Sequence, residues 1–341
     1  MSVRDELDCL VVGGGTFGTA LASLLLGLGK RVRLWVRREE QAEEINREHT
    51  NRRYLPDFAL PGNLEAVTDL AGTLAGTPLV LMAVPSRSFR EAARLVGDHL
   101  EGDQVVVHTT KGFEIETFLR MSQILREETC SLKIGAFSGP NLAVEIMKGH
   151  PAGATVASSY REVVDTVQAL FRGGRMRVYA SQDVVGTEMA GAFKNIIALA
   201  AGVSDGMGFG DNTKALLLTR GLSEMARVGV SAGGDVFTFS GLAGFGDLMA
   251  TCASPLSRNH QVGTRLARGE PLGAILESMA QVAEGVPTTE AVHRYALAQG
   301  LDLPIVRAVH GILYEGWNVE DALVRLMAIP VGDELSALRY R

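Results

Sequence analysis

The chain of 341 residues is long enough for about two domains, and 46% apolar with 21% charged residues is an ordinary soluble globular composition. A formal net charge of −6, without a Lys/Arg-rich tract, argues against a nucleic-acid partner. Three widely spaced cysteines, Cys9, Cys130 and Cys252, form no C-x-x-C pair. Reduced thiols in a cytoplasmic setting are expected, each a small buried hydrophobe.

The opening Ser2-Val3-Arg4-Asp5-Glu6 is not expected to be a signal peptide, because no apolar core follows a basic start. The run Leu10-Val11-Val12-Gly13-Gly14-Gly15-Thr16-Phe17-Gly18 then reads as an apolar strand entering a G-x-G-x-x-G turn that opens into a helix. Gly13 suits a tight turn, Gly15 a close approach of backbone to a pyrophosphate, and Gly18 close helix–strand packing. The helix's first N–H groups and its dipole would face the anion, with Thr16 and Phe17 on the turn.

Further strands are predicted over residues 31–36, 79–84, 104–108, 134–138, 154–157 and 176–179, with helices over 16–28, 39–48, 86–99 and 161–171. This alternation is the pattern of an α/β, Rossmann-type doubly wound parallel sheet, and residues 1–182 are assigned to an NAD(P)-binding domain. From Asp183 the strand pattern stops. Helical spacing over 183–203, 213–228, 244–251, 259–268, 290–299, 304–314 and 319–326 predicts an all-helical domain over 183–341. The most apolar stretch, 190–203, is interrupted by Lys194 and Asn195 and is shorter than the roughly 20 residues of a membrane span, so none is expected.

An NAD-preferring site usually carries an acid on the ribose about 20 residues beyond the glycines. Here the second strand pattern ends in Arg37-Arg38, two guanidinium groups suited to a 2′-phosphate. NADP(H) use with NAD(H) tolerated is therefore expected; solvated surface charge is the alternative. Glu39 and Glu40 fall where the next helix begins, where acids are favoured anyway.

Beyond the glycines, blocks in order include His49-Thr50-Asn51-Arg52-Arg53-Tyr54-Leu55-Pro56, Val84-Pro85-Ser86, Thr110-Lys111-Gly112 and Ser138-Gly139-Pro140. After them come Glu188-Met189-Ala190-Gly191-Ala192-Phe193-Lys194-Asn195, Gly210-Asp211-Asn212-Thr213-Lys214 and Gly241-Leu242-Ala243-Gly244-Phe245-Gly246-Asp247-Leu248. Ser257-Arg258-Asn259 and Ala283-Glu284-Gly285 complete the series. In order and spacing, from about Asp8 to about Pro330, the chain resembles the bacterial-type NAD(P)-dependent glycerol-3-phosphate dehydrogenases. The resemblance implies reversible reduction of dihydroxyacetone phosphate to sn-glycerol 3-phosphate, for glycerophospholipid synthesis. Asn141-Leu142 stands where that family usually has Ser or Thr and an aromatic, yet Asn141 can still donate and accept.

Lys194, inside an apolar helical run where desolvation eases loss of its proton, is the expected general acid, with Asn195 beside it. Snorkelling to solvent is the alternative for such a lysine. Lys111 follows a strand end, where open α/β sheets hold ligands, and the resemblance puts it beside nicotinamide and substrate; an exposed loop lysine is the alternative. Asp247 and Thr251 share a helix face, and the resemblance points both at the substrate, with Asp247 orienting Lys194; Asp247 could instead cap its helix. Ser257, Arg258 and Asn259 suit a phosphate dianion at a helix start, and the resemblance gives Arg258 to substrate phosphate and cofactor alike. Gly139 and Asn141 are further substrate candidates, Ala143 and Glu284 further cofactor candidates, although Glu284 reads equally as a loop acid.

The seven histidines form no metal-ligand spacing, and no metal is expected. A helical second domain is compatible with a homodimer. Two rivals remain. A dehydrogenase of 6-phosphogluconate or a ketopantoate-like acid would lack Ser257-Arg258-Asn259 after Asp247. A non-catalytic NADP(H) sensor would not need Lys194, Lys111 and Asp247 together.

Overall fold

The computed structural model describes residues 7–279 and 282–328; residues 2–6, read above for a targeting signal, and Pro330, where the resemblance ends, lie outside them. The chain divides into two compact units, one of Met1–Thr110 with Met121–Val184, the other of Lys111–Arg120 with Val185–Arg341. Lys111–Arg120, read in the sequence as part of the first domain, has its contacts in the second unit.

In the first unit the strands are β1 (Cys9–Val12), β2 (Val32–Trp35), β3 (Glu65–Val67), β4 (Leu79–Met82), β5 (Val105–His108), β6 (Ile134–Ser138), β7 (Ala152–Ala157) and β8 (Met176–Ser181). Their order among the described residues is β3-β2-β1-β4-β5-β6-β7-β8. The first six follow the doubly wound arrangement, with its switch point between β1 and β4. β1, β4 and β5 are buried along their whole length, as parallel strands covered on both faces must be, hence their unbroken Val and Leu runs. The helices α1 (Thr16–Gly27), α2 (Glu39–Glu48), α3 (Leu70–Leu74), α4 (Phe89–Gly97), α5 (Met121–Glu128), α6 (Ala143–Met147) and α7 (Arg161–Leu170) complete it. In α4, Phe89, Ala92, Ala93 and Val96 form one buried stripe at helical spacing.

Two features depart from the sequence reading. β3 was missed because it is only three residues long and begins with the exposed Glu65. β7 runs antiparallel to β6, so the sheet is mostly rather than wholly parallel. The cause is the five-residue α6, which rises only about 7–8 Å. A five-residue β6 spans roughly 16 Å, so α6 cannot carry the chain back to the strand's starting end.

The second unit contains α8 (Val184–Gly206), α9 (Asp211–Ser231), α10 (Asp247–Ala253), α11 (Arg258–Ala267), α12 (Leu272–Glu277), α13 (Gly285–Gln299), α14 (Pro304–Tyr314) and α15 (Val319–Met327). With 23 residues, α8 is longer than the stretch read from the sequence, and by length and composition alone it could cross a membrane. Yet 83% of its most apolar window is buried within the protein, which is what a helix apolar on all sides does as the centre of a core. Glycines let α11 approach it: a Cβ on Gly202 would lie 2.0 Å from the His260 carbonyl oxygen, and one on Gly263 2.0 Å from that of Leu199. Cys9 and Cys252 are buried as expected, whereas Cys130 is exposed, against expectation.

Glu224 of α9 closes the start of α14, accepting the backbone N–H of Ile305 at 2.7 Å and of Val306 at 3.1 Å, two donors a helix start leaves without partners. Burial pushes this carboxyl up to about 7, against the opposing pull of those two bonds. A carboxyl that holds its proton more tightly folded than unfolded contributes stability below its unfolded value. That contribution is lost as pH rises through about 7, a swing on the order of 3 kcal/mol. In urea melts, wild type is expected to lose stability relative to Glu224→Gln between pH 5 and pH 8; parallel profiles would refute the assignment.

Candidate functional site

In the first unit β1 ends in a turn whose Gly13 has φ +117°, a left-handed conformation, and whose Cβ would sit 2.6 Å from the Ala83 carbonyl oxygen. A Cβ on Gly18 would lie 2.0 Å from the carbonyl oxygen of Gly13, so the helix start presses on the turn itself. Gly15 is different. A Cβ there meets nothing within 4 Å, and no side chain caps α1. The fold does not require glycine at this position, whereas a ligand approaching the bare helix terminus does. Arg37 and Arg38 lie exposed just beyond β2, and Glu39, in the first turn of α2, accepts the Thr68 hydroxyl at 2.6 Å.

Two side chains given no role in the sequence reading brace this turn. Gln41 Nε2 donates to the Gly14 carbonyl at 2.6 Å; Asn51 Nδ2 donates to the same oxygen at 3.0 Å and to Thr19 Oγ1 at 2.9 Å. Asn51 is fully buried, and Thr16 Oγ1 donates to the Tyr54 carbonyl at 3.2 Å, which explains the His49–Pro56 block as scaffolding for the glycine turn. Gly139 (φ +146°) and Asn141 follow β6 in this unit, and Ala143 opens α6.

In the second unit Asp247 receives two ammonium groups. Lys194 Nζ donates to its Oδ1 at 2.7 Å and Lys111 Nζ to its Oδ2 at 2.7 Å. Lys194 also donates to Thr251 Oγ1 at 2.6 Å, and that hydroxyl donates to Asp247 Oδ1 at 3.2 Å. Lys194 is 5% exposed and Asp247 1%, so Lys194 does not snorkel. Nor is Asp247 a cap. A π-helical turn, Leu242–Gly246, carries the backbone into α10, so Asp247 is already helical and its carboxylate is left for the lysines. Burial pushes the Lys111 ammonium down to about 8; the Asp247 carboxylate opposes this and the neighbouring Lys194 charge adds to it. Burial likewise holds the adjacent Cys252 thiol up at about 12, so it is no nucleophile.

A chain of amides fixes the backbone of Lys111. The Gly285 N–H donates to Asn259 Oδ1 at 2.9 Å, Asn259 Nδ2 to Asn195 Oδ1 at 2.9 Å, and Asn195 Nδ2 to the Lys111 carbonyl at 3.3 Å. The ends dictate the orientation, because Gly285 N–H can only donate and the carbonyl can only accept. Ser257 caps α11, its hydroxyl oxygen accepting from the His260 N–H at 3.3 Å. Arg258 is exposed and donates Nη1 to the Val282 carbonyl at 2.8 Å, and Glu284 stands just before α13.

Lys111–Arg120 is a closed loop. Phe113 bridges Arg120, the Phe118 N–H donates to the Glu114 carbonyl at 2.8 Å, and Phe118 takes up φ +60°. The Phe118 ring lies between Phe113, with centroids 4.5 Å apart, and Tyr295 at 4.4 Å. Elsewhere, His293, His310 and Glu315 bring ligand atoms within 4.8 Å of one another. Their wide sequence spacing hid this. Arg307 already pairs with both Glu315 oxygens, at 2.6 and 2.8 Å, a resident cation that disfavours a second.

A sequence profile described as the N-terminus of NAD-dependent glycerol-3-phosphate dehydrogenase matches residues 8–164, and one for the C-terminus of the same enzyme matches 183–324. The chain belongs to this dehydrogenase family. It is 43% identical over 325 residues to a glycerol-3-phosphate dehydrogenase (NAD(P)+) of Teredinibacter turnerae, covering 95% of this chain and 96% of that one. It is also 43% identical to one of Moorella thermoacetica, covering 96% and 97%. The crystal structure of glycerol-3-phosphate dehydrogenase from Coxiella burnetii superposes with a TM-score of 0.89 at 34% identity, covering 94% of this chain and 98% of that one. The expected fold class, a Rossmann-type sheet followed by a helical domain, is the family's, and NAD(P) is its cofactor.

The open Gly15 cradle fits a dinucleotide pyrophosphate. Gly15→Ala is expected to melt like wild type while binding NADPH and NADH at least roughly tenfold more weakly by fluorescence titration. Unaltered binding would show that the cofactor does not approach this glycine.

Proposed function

We propose that this protein reversibly reduces dihydroxyacetone phosphate to sn-glycerol 3-phosphate with NADP(H) or NAD(H), as a soluble cytoplasmic enzyme supplying glycerophospholipid synthesis. The observation that carries the reading is the Lys111–Asp247–Lys194 cluster in a chain of this family. A non-catalytic sensor would gain nothing by burying three charges together, each of which costs free energy to desolvate.

In this reading residues 1–182 bind the dinucleotide and 183–341, with the Lys111 loop, bind the substrate. Gly13, Gly15, Thr16, Phe17 and Gly18 hold the pyrophosphate, Arg37 and Arg38 the adenosine 2′-phosphate, and Ala143, Lys111, Arg258 and Glu284 the remainder of the cofactor. When bound, the nicotinamide supplies the hydride. Lys194 gives its proton to the carbonyl oxygen as the alkoxide forms, and Lys111 stabilises the negative charge developing there. Asp247 holds both ammonium groups, Lys111 directly and Lys194 both directly and through Thr251. Arg258 takes the substrate phosphate, and Gly139, Asn141 and Asn195 line the rest of the molecule. Ser257 and Asn259 stand beside Arg258 at the same helix start, within the substrate's reach, while their bonds to His260, Asn195 and Gly285 fix that start in place. The burial of α8 supports a core helix rather than a membrane span, and a homodimer is part of the proposal.

Oxidation of NADPH and of NADH, followed with dihydroxyacetone phosphate, tests the reading. Lys194→Ala is expected to lose about a hundredfold or more in kcat while remaining folded. Arg258→Ala should lower kcat as well as raise KM, because phosphate binding at a distance aligns the carbonyl. A folded wild type without turnover removes the reading. Replacing both Arg37 and Arg38 by Ser should abolish any preference for NADPH over NADH; a preserved preference would return those arginines to solvated surface charge.

A further inference from the structure

We propose that Arg120 and Glu188 are positioning residues. Their ion pair staples the loop Lys111–Arg120 to α8 and thereby holds the Lys111 ammonium on Asp247 against repulsion by Lys194. The proposal rests on the reading of Lys111 and Lys194 given above, and adds to it what keeps the two together.

Lys194 and Lys111 share one carboxylate, so their like charges are forced close in a poorly solvated place. Lys194 has nowhere to go, since it projects from the middle of a helix packed on nearly every side. Lys111 starts a loop of ten residues, and a loop yields before a buried helix does. Asp247 holds the ammonium itself, and the rest of the loop must be anchored if that bond is to keep its place. Asn195 donates to the Lys111 carbonyl at 3.3 Å, and the aromatic stack holds the loop's middle.

An ionic anchor lies at the loop's far end. Arg120 Nη1 donates to Glu188 Oε2, with side-chain exposures of 17% and 4%. Glu188 stands on α8, the helix that carries Lys194, and Arg120 is bridged to Phe113 close to Lys111. The pair therefore fixes the loop to the same rigid rod as its like-charged partner. A carboxylate so buried is costly without a cation, so the contact resists being opened. A merely structural role for the pair would not tie the titration of Lys111 to it.

The experiment compares wild type with Arg120→Met, Arg120→Lys and Glu188→Gln. Each is checked by thermal melting and measured for kcat and KM, pH–rate profile and amide hydrogen exchange of residues 112–119. Lys111 must be charged to act in reduction, so wild-type kcat/KM falls as pH rises through about 8. In Arg120→Met and Glu188→Gln the released Lys111 regains solvent. The alkaline limb should then move upward toward the ordinary lysine range, kcat should drop at least roughly tenfold, and the loop amides should exchange faster. Arg120→Lys, which keeps the charge, should recover most of kcat. Folded variants with wild-type limb and loop exchange overturn the proposal, as does a loss that Arg120→Lys fails to rescue. If Arg120→Met does not fold, the isosteric Glu188→Gln makes the same comparison. If wild type proves inactive on dihydroxyacetone phosphate, the functional reading fails. Loop exchange still decides the staple: faster in the variants supports it, unchanged sinks it.

Discussion

One buried carboxylate holding two ammonium groups, Lys194 buried and Lys111 half-buried, is the constraint on which the helical unit depends. Asp247 neutralises only one of the two positive charges it binds, so the cluster keeps an excess of positive charge where water is scarce. An uncompensated buried charge is normally expensive, and proteins retain it where an anion is to be met. The alkoxide that forms as a ketone is reduced would supply the missing negative charge. Stabilisation of that kind grows during the reaction rather than at binding, which is what raises a rate.

The surrounding architecture serves that carboxylate. The π-helical turn commits Asp247 to helical backbone and frees its side chain from capping. Gly202 and Gly263 let α8 and α11 touch backbone to backbone, which brings Asn259 within reach of Asn195. Asn195 in turn anchors the Lys111 carbonyl. In the sheet unit the logic is separate. There the bare terminus of α1 offers oriented N–H groups, and Gln41 and Asn51 hold the glycine turn from behind by its carbonyl. In the proposed reading, one unit would receive an anion on backbone dipoles and the other a developing oxyanion on side-chain charges.

Most of the framework was legible because its signals are local. The all-buried strands wrote themselves as Val and Leu runs, and the glycine turn showed its three positions in order. Lys194 stood out as a charge inside an apolar helix, and Asp247 with Thr251 by helical spacing. What escaped depends on contacts distant in sequence or on lengths too short to carry a period. β3 and α6 are too brief for periodicity to register, and α6's brevity reverses β7. Lys111–Arg120 lies between a strand and a helix of the sheet unit, so nothing local reveals its allegiance to the helical one. Asn51 and Arg120 look like ordinary loop residues until a partner far along the chain is brought to them. Ser257 and Asn259 were visible as a set, but their bonds hold the helix start and the amide chain, a role no motif spacing distinguishes from ligand contact.

The two lysines are chemically alike and structurally unequal, and this asymmetry follows from where each sits. Lys194 is carried by a 23-residue helix whose burial sets its position before any ligand arrives. Lys111 is carried by a short excursion from one unit into the contacts of another, a placement costly in chain entropy. The fold meets that cost with two aromatic contacts, an ion pair and a backbone bridge concentrated in ten residues. Phe118 even accepts a left-handed backbone to lie between Phe113 and Tyr295, a conformation that costs a side-chain-bearing residue on the order of 1–2 kcal/mol. So much ordering in so small a segment has a physical justification only if the residue at its head must be held to the same accuracy as one inside a helix. Lys111 is that residue, since it alone in the loop shares the carboxylate of Lys194.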